Sequence, residues 1–278
     1  MRMALLVSLL VVGCGGSSAN SDGGTHPGTP DAAPGTPDAA PGGSVWHPTP
    51  DTTWQWQLTG TIDTSIDVQM YDIDLFTAPA ATIDTLHAAG RKVICYFSAG
   101  SYEPDRPDSG DFPAAALGNV LDGWPDEKWL DVRRADVRAI MGRRLDRAVA
   151  AHCDGVEPDN VDGFDNDNGF SLGAADQLDY NRFLATEAHA RQLSVGLKND
   201  LGQVDALVGD FDWSLDEQCH EYTECDALTP FITAGKAVFH AEYVDASQAA
   251  AVCAVTRPLH LSTIIKNLDL DAYRVACP

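Results

Sequence analysis

Glu157, Asp159, Asn160 and Asp162 close a short apolar run in the stretch Asp154-Gly155-Val156-Glu157-Pro158-Asp159-Asn160-Val161-Asp162-Gly163. A hydrophobic core does not call for such a cluster, because an unpaired buried carboxylate is costly. Acids gathered where a strand ends point instead to chemistry at the mouth of an α/β sheet or barrel. The plainer explanation is a set of turn and capping residues for the connection that follows. Two carboxylates facing each other across a sugar-sized cleft carry out glycoside hydrolysis, one as nucleophile or base and the other as the acid that protonates the leaving oxygen. Aromatic side chains on loops would stack on the sugar faces, and Tyr102 and Trp124, set among polar residues, suit that part.

These groups need elements to hold them. Eight short apolar segments end in polar residues: 54–58, 68–75, 93–97, 155–159, 194–199, 212–217, 237–243 and 262–267. Between several of them the spacing predicts helices. Thr82 is placed to cap a helix running to Ala89 and closed by Gly90. Val137, Ile140, Met141, Leu145, Ala148 and Val149 form one helical face, and Tyr180, Phe183, Leu184 and Ala188 another. Such alternation predicts a single (β/α)8 barrel, with a doubly wound open sheet as the alternative. In a barrel the C-terminal strand ends share one mouth. That mouth would gather Asp72 and Asp74, then Tyr96, Ser98 and Ser101, then Glu157, Asp159 and Asn160. From the later strands come Lys198, Asn199 and Asp200, then Asp216 and Glu217, then Glu242 and Tyr243, and finally Lys266 and Asn267.

Other chemistries lack their motifs. The chain has no GxGxxG or GxxxxGK[ST] for nucleotides, no GxSxG for a serine hydrolase and no HExxH. The run Asp162, Asp165, Asp167, Asp176 fails the EF-hand pattern, since Gly169 stands where a ligand is needed. No metal and no organic cofactor is expected. His240, on an apolar strand, reads as a satisfied core histidine.

Several segments resemble glycoside hydrolase family 114, the endo-α-1,4-polygalactosaminidases. They are Trp54-Gln55-Trp56-Gln57-Leu58, Tyr71-Asp72-Ile73-Asp74-Leu75, Val93 to Ser101, Asp122-Gly123-Trp124-Pro125, Trp129 to Arg133, Gly155 to Asn160, Gly196 to Asp200 and Asp216-Glu217-Gln218-Cys219. The resemblance spans roughly residues 45–267. It implies a barrel that cuts internal α-1,4 links of a galactosamine-containing polysaccharide without a cofactor. It also implies Asp159 as nucleophile, from the Glu-Pro-Asp-Asn motif, and Glu217 as acid/base, from Glu-Gln-Cys. On strand geometry alone Glu157 competes with Asp159 from one layer deeper, and Glu242 competes with Glu217. Asp72, Asp74, Tyr96, Ser98, Tyr102, Trp124, Glu157, Asn160, Lys198, Asn199, Asp200, Glu242 and Tyr243 are then expected to bind substrate. A non-catalytic sugar-binding lipoprotein on the same barrel is the alternative.

The start of the chain reads as an export signal. Arg2 precedes an apolar run from Ala4 to Val12, too short to span a bilayer. Leu10 to Cys14 resembles the bacterial lipoprotein processing signal, which implies residues 1–13 as signal peptide and a lipidated Cys14. Residues 14–43 are rich in Gly, Pro, Ser and Asp, with the repeat Pro-Gly-Thr-Pro-Asp-Ala-Ala, and read as a disordered tether before a catalytic domain over 44–278. An exported or cell-surface monomer is expected, held to the membrane through its lipid alone.

The chain carries 41 acidic against 18 basic residues, a net charge of −23. That field repels nucleic acid and attracts polycations, an unacetylated amino-sugar polymer among them. Beyond Cys14 there are six cysteines, an even number consistent with three disulfides in an exported chain. Nearness in sequence suggests Cys219 with Cys225 and Cys253 with Cys277, which leaves Cys95 and Cys153, one of about fifteen possible connectivities.

Overall fold

The computed structural model describes residues 45–277. The expected signal peptide, Cys14 and the tether lie outside the described residues. Among the described residues twelve strands form two sheets. In chain order they are β1 (Trp54–Gln57), β2 (Met70–Asp74), β3 (Lys92–Ser98), β4 (Ser101–Tyr102), β5 (Leu117–Leu121), β6 (Trp124–Leu130), β7 (Gly155–Asp159), β8 (Ser194–Lys198), β9 (Trp213–Glu217), β10 (Val238–Glu242), β11 (Ser262–Ile265) and β12 (Val275–Ala276). The principal sheet has the order β1-β2-β3-β7-β8-β9-β10-β11-β12. Its first eight strands are parallel and β12 lies antiparallel to β11. The eight segments expected from sequence are these eight strands, curled into a TIM-barrel-like α/β fold.

The helices are α1 (Ala80–Ala88), α2 (Ala135–Ala150), α3 (Ala174–Ala190), α4 (Val204–Leu207), α5 (Cys219–Tyr222), α6 (Thr229–Thr233) and α7 (Ala249–Thr256). The regular alternation fails in three places. Between β1 and β2, and again after β11, no helix occurs among the described residues. Between β3 and α2 the chain instead builds the small antiparallel sheet β4-β6-β5. Thr82 also lies inside α1 rather than at its start. Pro79 is the N-cap, in the extended conformation that proline favours before a helix.

The interior is filled from below by tryptophans. Trp54, Trp56, Trp213, Met70, Ile94, Leu215 and Phe239 pack together inside the curl. Gly196 permits this, since a Cβ there would fall 2.2 Å from the Trp213 ring. A second apolar layer packed against α1, α2 and α3 takes the opposite face of β2, β3, β7 and β8.

The seam between β1 and β11 is bridged by the C-terminal segment. Trp54 Nε1 donates to Ser262 O at 2.7 Å, Arg274 Nε to Trp54 O at 2.8 Å and Leu58 N to Leu270 O at 2.9 Å. Lys266 Nζ donates to Asp271 O and Tyr273 O, each at 2.6 Å. Disulfides join Cys95 to Cys153, Cys219 to Cys225 and Cys253 to Cys277, the pairing expected from sequence. The last of these ties α7 to the seam segment.

Candidate active site

Alternate residues of a strand face the same side. The side that packs Met70, Ile94 and Leu215 into the interior continues upward, two residues on, as Asp72, Tyr96 and Glu217. Glu157 and Asp159 on β7 and Lys198 on β8 complete this inward face. At its centre stands the Lys198 ammonium. It lies 3.1 Å from Glu157 Oε1, 3.0 Å from Asp159 Oδ1 and 3.2 Å from Glu217 Oε2, with only 2% of its side chain exposed. Its Nζ also sits 4.8 Å from the centre of the Trp56 ring. Burial works against the ammonium, but the charges of Asp159, Glu217 and Glu157 hold its pKa well above the usual lysine value.

Each carboxylate is aimed by a further donor. Asp159 accepts from Tyr96 Oη at 3.1 Å and from the backbone N–H of Asn160 at 2.7 Å. Glu217 accepts a short hydrogen bond from the Tyr243 hydroxyl, while Asn199 Oδ1 takes the Glu217 N–H at 3.0 Å. Glu157 accepts from Trp56 Nε1 at 3.1 Å and is fully buried. Asp159 and Glu217 both lie within 3.2 Å of one nitrogen, so their facing oxygens are separated by at most twice that distance.

Beneath this layer Asp72 is fully buried, and neither of its oxygens finds a donor among the described residues. Its side chain meets that of Glu157. Burial, then the charge of Glu157, raises the Asp72 pKa well above the carboxylate range, while burial against Lys198 brings Glu157 to about 7. A proton kept on Asp72 and donated to Glu157 satisfies both groups, where two bare carboxylates would repel.

On the rim Ser98 Oγ accepts from Asn160 Nδ2 at 2.9 Å and lies 2.7 Å from Ser101 Oγ. Ser101 Oγ donates in turn to Glu127 Oε2 at 2.7 Å. Gly100 makes this possible, because a Cβ would fall 1.7 Å from Asn160 O. On the other side Asp200 accepts from Asn181 Nδ2 at 2.8 Å, and burial followed by the Asp162 charge raises its pKa to about 8. Burial and the nearby Asp159 bring Asp162 to about 6.

The structure therefore brings together Asp72, Tyr96, Ser98, Glu157, Asp159, Asn160, Lys198, Asn199, Glu217 and Tyr243. Asp200, held by Asn181, lies beside this group, and four other expected residues stand apart from it. Asp74 is held by Arg106 at 2.8 Å and caps the turn at Phe76 and Thr77. Tyr102 meets Phe112 edge-on and packs on the outer core. Trp124, 59% exposed, lines a separate cleft of about 780 Å³ with Trp129, Asp122, Asp165 and Asp167. Neither Asp159 nor Glu217 borders that cleft. Glu242 shares the outward face of β10 with His240 and accepts from His240 Nε2 at 3.0 Å and His220 N at 2.8 Å. His240 also meets Thr263 and is fully buried, the satisfied core histidine expected from sequence. Glu127 was not legible, because Trp-Pro-Asp-Glu-Lys shows no strand alternation, and the contact of Trp56 with Glu157 had no sequence signal. Among the described residues the one grouping of possible metal ligands is Cys219, Cys225 and His240, and its two sulfurs are joined in a disulfide.

An acid pair at the strand ends of a TIM-barrel-like fold is the arrangement that glycoside hydrolysis uses. The chain belongs to glycoside-hydrolase family GH114, whose model matches residues 35–278, and it is a glycosidase. It is similar to Aspergillus fumigatus Ega3, solved in complex with galactosamine, at 47% identity and a TM-score of 0.81, over 85% of this chain and 99% of that one. The glycoside hydrolase domain of PelA from Pseudomonas aeruginosa shares the fold at 13% identity and TM-score 0.65, over 82% and 99%. The α-galactosidase TtGalA from Thermus thermophilus shares it at 12% identity and TM-score 0.55, over 79% and 59%. No curated protein sequence matches.

Proposed function

We propose that the protein cleaves internal α-1,4 links of a galactosamine-containing exopolysaccharide, native or partly acetylated, with Asp159 as nucleophile and Glu217 as acid/base. The observation that carries this reading is the shared contact of both carboxylates with Lys198 Nζ at 3.0 and 3.2 Å. Retaining glycosidases hold their carboxyl groups about 5–5.5 Å apart, and inverting ones about 6.5–9.5 Å. The limit set by Lys198 favours retention. The galactosamine bound to Ega3, at 47% identity, supports an amino-sugar substrate.

In the first step an Asp159 oxygen, freed from its hydrogen bonds to Tyr96 and Asn160, bonds to the anomeric carbon. The bond to the departing oxygen breaks as Glu217, entering this step in its protonated form, gives that oxygen its proton. Forming the ester removes the Asp159 charge and leaves the Lys198 ammonium to Glu217 and Glu157. Glu217 then stands as a carboxylate, the form needed to take a proton from the water that releases the sugar. Asp72 and Glu157 keep the lysine in place from below. No metal or organic cofactor takes part. The disulfides support export to an oxidising compartment, and we place the enzyme at the cell surface as a monomer anchored through Cys14.

The test is oligosaccharide release from galactosamine polymer, native and acetylated, by wild type and by the Asp159→Asn and Glu217→Gln variants. Internal products from wild type, lost in both folded variants, are expected. Binding without release by wild type would leave a sugar-binding protein in place of the hydrolase.

A further inference from the structure

We propose that Glu127 recognises the ammonium of an unacetylated galactosamine unit seated beside Asp159, and so sets the preference of the site for amino over N-acetylamino sugar. The inference rests on the hydrolase reading above. It starts from the inserted sheet, which replaces a regular strand-to-helix connection between β3 and α2. Within that sheet β4 pairs Ser101 with Trp129 and Tyr102 with Lys128. Glu127, next along β6, is joined through Ser101 and Ser98 to Asn160 beside Asp159.

Its surroundings differ from those of the ion-paired acids there. Glu127 is half-buried, and its Oε2 accepts from Ser101 Oγ at 2.7 Å. The hydroxyl chain continues through Ser98 to Asn160, whose backbone N–H is bound to Asp159. Glu157, Asp159 and Glu217 share Lys198, and Asp74 and Glu103 share Arg106. No ion pair to Glu127 occurs among the described residues. Burial raises its pKa to about 7, with Ser101 opposing and the charges of Glu103 and Asp159 adding. An acid so placed gains most from a cation that arrives with the substrate, because a charge-assisted hydrogen bond is roughly twice as strong as a neutral one. An acetamido group offers one neutral N–H and no charge, so it forgoes that gain.

Glu127→Gln keeps the shape and an acceptor for Ser101 while removing the charge. Two ratios are measured in wild type and variant. The first is kcat/KM on native against acetylated polymer, and the second is calorimetric affinity for galactosamine against N-acetylgalactosamine oligomers. Both ratios are expected to fall about tenfold or more, the effect of losing a hydrogen bond to a charged group. An equal loss on both sugars, or unchanged ratios, would overturn the proposal and leave Glu127 as a support for Ser101. Thermal unfolding of the variant, alongside Glu127→Ala, separates a folding defect from either result. If wild type releases nothing from either polymer, the hydrolase reading fails, and the affinity ratio still decides the role of Glu127.

Discussion

Lys198 and Lys266 occupy equivalent places at the ends of parallel strands, each with 2% of the residue exposed, yet their partners differ in kind. Lys198 is met by the side chains of Glu157, Asp159 and Glu217. Lys266 is met by two backbone carbonyls of the C-terminal segment. Carboxylates hold the first well above its ordinary pKa, whereas burial, with only Asp271 opposing, lowers the second to about 8. The acids divide the same way. Glu217 is held by side chains of Lys198 and Tyr243, while Glu242 is held by His240 and the backbone N–H groups of His220 and Glu221. Glu157, Asp159 and Glu217 thus meet at one shared ammonium, whereas Lys266 and Glu242 are each fixed in part by backbone groups of neighbouring segments.

The sharpest way to break this contrast is to remove each lysine. Lys198→Met leaves three carboxylates without their common cation. Activity on the polymer should fall about a hundred- to a thousandfold, as when a preorganised charge donor is lost. Steady-state kinetics on protein of native circular dichroism would show it. Lys266→Met should instead open the seam, because each buried carbonyl left without a donor costs about 1–3 kcal/mol. The expected outcome is a melting temperature lower by several degrees, with activity per folded molecule largely kept. Glu242→Gln belongs with it, at about 1–2 kcal/mol. A large kinetic effect from Glu242→Gln without loss of stability would return it to the reacting centre.

How much of this was legible follows from the same distinction. The eight strands could be read because apolar runs ending in acids recur, and the inward set on β7 and β9 because side chains alternate. Glu242 could have been separated from Tyr243 by that alternation, since it shares its face with His240. Nothing local shows that Asp74 would be taken by Arg106, more than thirty residues away, or that the 268–277 segment would fill the seam. Those are tertiary contacts between distant parts of the chain. Glu127 escaped for a different reason. Its strand is the centre of the small inserted sheet, but it is mostly exposed, polar and interrupted by Pro125, without the pattern that burial imposes on a core strand.

A finer test concerns Asp200, which sits in left-handed backbone at φ 49° beside the mouth. Its pKa in the folded protein is about 8, against an ordinary value of 3.8. Between those values the folded protein binds the proton and the unfolded chain does not, so this group makes stability decline as pH rises from about 4 to 8. Asp200→Asn can still accept from Asn181 and suits left-handed backbone. It should remove that slope and raise the melting temperature at pH 8 more than at pH 5. Melting curves across that range would check it.

The central claim is that Asp159 and Glu217 work as a close pair across Lys198. Proton NMR of the first sugar released from the α-1,4 polymer, recorded before mutarotation, tests it directly. The α-anomer is the expected product, formed by two displacements at carboxylates near enough to share one ammonium. A β-anomer would mean a single displacement by water, and would contradict Asp159 as nucleophile.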